Sequence, residues 1–166
     1  NNVMFPTNFN VGSWMVYIIG SIDEAGYPTT IFENSFYLKR GLYSCVSTDY
    51  FLAHLRNIKL NFTGNTENIT SYAISGYNPV YLYNCALYGD GIKSQTFMSG
   101  LTISFDNGWV DGELYVGFNS DAGLLTLTGN ILVGTKKPVS GYTFAQATIG
   151  GILYAQNVTF TGTAQG

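Results

Sequence analysis

Groups able to move protons, attack carbonyls or hold metals are scarce in this chain of 166 residues. Its one histidine, His54, lies between Ala53 and Leu55. Imidazole catalysis needs a partner acid, base or nucleophile within hydrogen-bond reach, and apolar neighbours suit a partly buried structural histidine better. No serine or cysteine stands in a nucleophile-elbow pattern, and no glycine-rich run leads from a strand into a helix to cradle phosphates. Glycoside cleavage needs two carboxyls across the scissile bond. The densest acidic group is Asp106, Asp111 and Glu113, with Asn107, Gly108 and Gly112 among them. Its spacing matches no standard calcium loop, and polar residues on an exposed hairpin account for it. The expectation is a chain with no catalytic residues, no metal and no cofactor.

Cys45 and Cys85 each lie in an apolar, aromatic segment. Their spacing and the lone histidine argue against zinc. In an exported chain such a pair reads as one disulfide closing a loop of about 40 residues, worth roughly 3–4 kcal/mol by loop entropy. Two buried free thiols are the alternative. Asn61-Phe62-Thr63, Asn68-Ile69-Thr70 and Asn157-Val158-Thr159 are glycosylation sequons. Chance supplies that many in so Asn-, Ser- and Thr-rich a chain, but Asn61 and Asn157 fall on the polar side of alternating segments. Sugar faces stack on aromatic rings, with polar side chains fixing the hydroxyls. Trp14, Trp109, Tyr77, Tyr81 and Tyr83 are the candidates for such stacking, although 13 Tyr in a β-rich chain line its strands in any case.

Charged residues make up only 10% of the chain, against roughly 25% in ordinary soluble domains. The net charge is −3 and the pI about 4.8. No basic patch is present for nucleic acid or an anionic membrane. Lys39-Arg40 and Lys136-Lys137 adjoin Gly41 and Pro138, as solvated turns do. The longest apolar run, residues 14–19, is strand-sized and well short of the ~18 residues of a membrane helix. A first residue other than Met reads as a mature, exported chain, so an extracellular, surface-displayed protein is expected.

The elements that position these groups are signalled by period-2 alternation. Ile58, Leu60 and Phe62 share one face, as do Leu101, Ile103 and Phe105. In the last segment Ile152, Tyr154, Val158 and Phe160 fall on one face. Turn signals recur every 8–15 residues or so, including residues 23–28 and a hairpin signal at Asp106-Asn107-Gly108. Thr-Gly pairs at 63–64, 128–129 and 161–162 are irregularly spaced and read as strand endings, not as a repeat. Only residues 48–57 suit a helix, with Leu52 and Leu55 on its inner face. These signals predict an antiparallel β-sandwich, Ig-like or jelly-roll-like. It would comprise an extended arm over residues 1–12, one domain over 13–166 and at most one short helix.

In the arm, Val3, Phe5, Phe9 and Val11 lie on alternate positions. It can be an edge strand of its own domain or fill an apolar groove in a neighbouring copy. With Cys45 and Cys85, this arrangement resembles, in architecture, the subunits of strand-complemented surface filaments: bacterial type I-like pilins and archaeal thread filaments. The resemblance implies a sandwich short of one strand, a donor strand of Val3, Phe5, Phe9 and Val11, and head-to-tail polymerisation with copies of itself. A carbohydrate-binding adhesin or receptor-binding domain, as at a fimbrial tip or viral spike, and a jelly-roll coat protein are the alternatives.

Acid unfolds proteins mainly by protonating carboxylates that are paired in the native state. With only 10 Asp and Glu, the chain is expected to keep its circular dichroism spectrum from neutral pH to about pH 3. A steep loss of structure within that range would contradict this.

Overall fold

The computed structural model describes residues 14–38, 40–62, 69–90, 94–113, 116–134 and 143–162. Among them the chain is strand and turn, without helix. The strands are β1 (Trp14–Ile19), β2 (Thr30–Glu33), β3 (Ser35–Tyr37), β4 (Leu42–Thr48), β5 (Phe51–Arg56), β6 (Ile58–Phe62) and β7 (Ser71–Gly76). They continue with β8 (Val80–Asp90), β9 (Ser94–Phe97), β10 (Thr102–Glu113), β11 (Val116–Asp121), β12 (Leu124–Val133), β13 (Thr143–Thr148) and β14 (Ile152–Gly162).

The first sheet has eight strands in the order β1-β5-β8-β10-β12-β14, with β6 also pairing β8, and β2 pairing β6. The second has six, β13-β11-β9-β7-β4-β3. Every ladder is parallel except β3 with β4. Parallel neighbours need a crossover of a dozen or more residues, and each sheet supplies the crossover for the other. The chain therefore winds as a β-solenoid. Ile103 lies beside Val80 and Leu124 beside Thr102, whereas Ile152 lies beside Leu124 and Ala86 beside Lys59. Circuits accordingly take roughly 22 to 29 residues, except the first, from Trp14 to Phe51, which takes 37; all fall within the range of stacked repeats.

This overturns the antiparallel β-sandwich. Alternation reports which face is buried, and a solenoid strand buries one face just as a sandwich strand does; it carries no information on pairing direction. Residues 51–56, inside the expected helix, form β5, with Ala53 and Leu55 buried on alternate positions. The Thr-Gly at 128–129 lies inside β12 of a repeat array whose uneven circuits hide its period. The turn at 23–28 does form: the Asp23 carboxylate accepts the amides of Ala25 and Tyr27 at 2.9 and 2.8 Å. The arm's residues 1–12 lie outside the described residues.

Between the sheets, stacked columns of apolar side chains form the core. Val46, Ile74, Phe97 and Phe118 line one wall; Leu55, Leu82, Phe105 and Leu127 face them from the other. Burying each such side chain contributes about 1.5–3 kcal/mol.

The first sheet bends at one place in every circuit from β5 onward. Left-handed backbone occurs there at Asn57 (φ 58°), Asn84 (51°), Asn107 (51°), Gly129 (73°) and Asn157 (51°). Asn and Gly are the residues that visit this region at low cost. The Asn57 amide donates to the Gly20 carbonyl at 3.3 Å, and Asn84 donates to Asn57 Oδ1 at 2.8 Å and to the Gly26 carbonyl at 3.1 Å. Asn107 Oδ1 accepts the Asn130 amide at 2.9 Å. Gly108 follows the bend so closely that a Cβ there would lie 2.2 Å from the Cys85 carbonyl oxygen.

Each bend also shifts the alternation by one residue, except in β12, where Gly129 and Asn130 both occupy the bend and Leu125, Leu127, Ile131 and Val133 stay in phase. In β8, Val80 and Leu82 point inward, and after Asn84 so do Cys85 and Leu87. In β14 the same shift at Asn157 sends Ile152 and Tyr154 outward but Val158 and Phe160 inward. These four residues therefore do not share a face. The expected hairpin at Asp106-Asn107-Gly108 is likewise a bend within the single strand β10: Asn-Gly suits left-handed backbone in either setting.

Replacing Asn84 separates the two roles of the bend residue. Asn84→Gly keeps the backbone and loses the hydrogen bonds, an expected cost of about 1–2 kcal/mol, whereas Asn84→Ala adds left-handed strain, for about 2–4 kcal/mol in all. Urea unfolding of both variants measures the difference, and equal costs would contradict this account of the bend.

Candidate functional site

Strands stacked in register place residues from distant parts of the chain side by side. On the outer face of the first sheet one column runs Tyr17, His54, Tyr81, Ser104, Thr126, Tyr154. Tyr17 and His54 stack at 4.6 Å between ring centroids, and His54 and Tyr81 at 4.4 Å, with interplanar angles of 20° and 13°. These spacings approach the ~4.8 Å between strands, so the sheet itself dictates the stack. Beyond Tyr81 the column drops to two short hydroxyl side chains and rises again at Tyr154. The result is a notch with phenol walls and a Ser104–Thr126 floor. Tyr81 is 42% exposed and Tyr154 50%.

Around this column lies a weakly charged, largely apolar surface. Met15, Ile19, Tyr83, Leu124 and Ile152 are all exposed on the same sheet. Arg56 lies 4.9 Å over the Tyr83 ring. Beyond the bend, the segment between β1 and β2 covers the sheet. Tyr27 packs edge-on against Trp109 at 5.0 Å, and Lys59 lies 5.9 Å from the Tyr27 ring and 4.6 Å from that of Tyr88. Burial, and then Asp111, push the Tyr27 phenol above its usual range. The second sheet differs: its Ser71, Ala73, Ser75, Ser94 and Thr96 are small and buried.

The aromatic residues singled out for sugar stacking thus separate. Tyr81 and Tyr83 lie on the open face. Trp109 is covered by Tyr27. Tyr77 is exposed at the turn between β7 and β8, with the Arg40 guanidinium 4.1 Å over its ring. That guanidinium is also ion-paired with Asp49, and both side chains are nearly buried. The backbone of Trp14 pairs with Phe51 at the start of β1; its side chain is outside the described residues. Tyr17, Ser104, Thr126 and Tyr154 escaped sequence reasoning, because only the register joins them.

Of the sequon residues, Asn157 is exposed at the bend of β14, and Asn61 donates to Glu33 Oε2 at 2.8 Å on the outer face. Asn68 is outside the described residues. Asp106 and Asp111 of the acidic group do not converge, and the Glu113 side chain lies outside the described residues. Asp106 Oδ1 accepts the Asn107 side-chain amide at 2.9 Å, and Asp111 Oδ1 accepts the Gly112 backbone amide at 2.7 Å. No cluster of three metal-ligating side chains occurs among the described residues.

Cys45 and Cys85 are both free thiols, not the expected disulfide. Cys45 lies partly buried on β4 of the second sheet, packed against the core, while Cys85 on β8 of the first sheet is buried within it. Cys85 Sγ lies 3.4 Å from the Leu55 carbonyl oxygen.

The second notable surface is the last circuit. Leu125, Leu127 and Ile131 of β12 are at most 1% exposed, but their neighbours in β14 are not covered in turn. Ala155 is exposed, Leu153 is partly so, and the inward-facing Phe160 is 43% exposed. Among the described residues no strand pairs with the outer edge of β14. Proteins usually guard such edges with charge or proline; β14 carries neither.

Comparison of the chain with protein-family models, curated proteins and solved structures finds no match.

Burial pushes the Cys85 thiol from its ordinary value of 9.0 up to about 12, and holds Cys45 well above its own. Both are expected to resist alkylation in the native protein and to react fully, without reductant, on unfolding. Above pH 9 the unfolded chain loses thiol protons that the folded chain keeps, so stability falls as pH rises from about 9 to about 12, by up to about 1.4 kcal/mol per pH unit for Cys85. Urea midpoints across this range should fall less steeply in Cys85→Val. An identical slope, or only one thiol titrated after unfolding, would refute the assignment.

Proposed function

We propose that this chain is a structural subunit of an extracellular filament, polymerising head to tail by strand addition at the open end of its solenoid. One observation carries the reading: β14 ends the stack with core-facing residues exposed and an edge that lacks charge and proline. Repeat stacks need polar caps at their ends to stay soluble as monomers. A contact that joins unlike ends does not close on itself and yields an open polymer.

The donor is the amino-terminal arm of the next copy. Its alternating Val3, Phe5, Phe9 and Val11 suit a surface with one buried face, and β14 offers 11 residues of ladder. The acceptor is the end of a coil, not a gap within a sandwich. Burying the four arm side chains would contribute on the order of 6–10 kcal/mol per junction before ordering costs. With the cysteines unpaired and a solenoid in place of the sandwich, the extracellular assignment rests on the low charge, the placement of Asn61 and Asn157 and the alternating amino-terminal arm. The reading includes no catalytic step.

Sedimentation velocity and negative-stain microscopy of the full chain test this. The intact protein is expected to form linear polymers as its concentration rises. A chain lacking residues 1–11, and the variant Ala155→Lys on the acceptor face, should remain monomeric with unchanged circular dichroism. An intact chain that stays monomeric at high concentration, or polymers unaffected by both changes, would overturn the proposal.

A further inference from the structure

The notch on the first sheet shares β14 with the open end through Tyr154, but it faces sideways from the solenoid axis, so end-to-end assembly leaves it uncovered. We propose that the notch between Tyr81 and Tyr154, floored by Ser104 and Thr126, is a binding subsite for an uncharged sugar ring.

Three observations select that ligand class. Tyr81 has one ring face occupied by His54 at 4.4 Å, while its other face looks over Ser104, whose side chain is too short to stack. A ring held rigid on one side and open on the other presents an apolar plane at little ordering cost, which suits the C–H face of a pyranose. The floor then supplies hydroxyls that both donate and accept hydrogen bonds, matching the hydroxyls around a sugar ring's edge. Finally, the column itself carries no carboxylate, guanidinium or ammonium group. The charged groups of the adjoining column are engaged elsewhere: the Arg56 guanidinium lies over the Tyr83 ring and Asp106 accepts a hydrogen bond from Asn107. An acidic sugar would find no counter-charge in the notch.

The dimensions agree. Tyr81 and Tyr154 are three strand spacings apart, about 14 Å, and a ring in van der Waals contact with Tyr81 sits about 4 Å from it. That places the ring over Ser104, with Thr126 and Tyr154 left to meet the next residue of an oligosaccharide. The Tyr154 hydroxyl already donates to Gln156 Oε1 at 3.1 Å, which leaves its oxygen able to accept a sugar hydroxyl.

An array of neutral and acidic glycans, probed with the intact chain, followed by calorimetric titration of the best soluble oligosaccharide, tests the proposal. Binding is expected among neutral glycans. Tyr81→Ala should weaken it by about tenfold or more, and Ser104→Val with Thr126→Val should weaken it comparably. Tyr81→Phe, which keeps the ring, should retain most of it. Tyr83→Ala, outside the notch, should leave it within about twofold. No binding anywhere on the array, preference for acidic glycans, or affinity indifferent to Tyr81→Ala would overturn the proposal. So would a Tyr81→Ala variant that changes only self-association, since the face would then be a contact between copies. Filament formation by the Tyr81→Ala variant separates this outcome from failure of the assembly reading.

Discussion

From β5 onward, every described circuit of this chain must turn at the same point, and the turn must be left-handed. Once Asn57 and Asn84 adopt that backbone side by side, Asn107, Gly129 and Asn157 have to follow. A circuit that bent one residue early would point its core side chains at solvent, because side-chain direction alternates with a period of two. The asparagine amides reinforce the alignment where they reach between circuits, as Asn84 reaches Asn57. Where they do not, close approach takes over, as at Gly108 against the Cys85 carbonyl. The continuous core and the aromatic column both follow from this shared corner.

The same corner explains what could be read from the sequence. Ile58, Leu60 and Phe62 were legible as one buried face because their segment begins just past the bend, and Leu101, Ile103 and Phe105 because theirs ends before it. The 152–160 segment misled because its bend lies in the middle. Asn107-Gly108 announced a sharp turn correctly, but a hairpin and a solenoid corner ask for the same backbone. The site was less legible than the fold. Tyr81 stood out as an aromatic residue in a strand, but Ser104, Thr126 and Tyr154 come from three later circuits. Uneven circuit lengths conceal the register that joins them.

The stack has a core without interruptions yet little charge on its flanks. An ion pair such as Arg40–Asp49 is therefore conspicuous. It is nearly buried, and it ties the start of β4 to its end through Tyr37, Asp49 and the Tyr77 ring. Breaking one partner of such a pair costs more than the intact pair contributes. It acts as a constraint on the shape of that corner, while cohesion comes from the apolar columns. The thiols belong with this apolar packing, Cys85 inside the core and Cys45 against it: each behaves as a small apolar side chain.

The two edges of the solenoid differ in how tightly they are wound. Where the second sheet passes into the first, the connections are short throughout: residues 49–50, 77–79, 98–101, 122–123 and 149–151. On the return edge they are uneven, from residues 114–115 to 63–70 and 134–142. From β5 onward, differences in circuit length are therefore absorbed mainly on one side, and the ladders continue past them. That return edge is the natural seam of the molecule. Residues can be gained or lost there, or whole peptides spliced in, while the opposite edge and both sheets keep their geometry. A lineage carrying this fold can thus vary one border freely and hold the rest fixed.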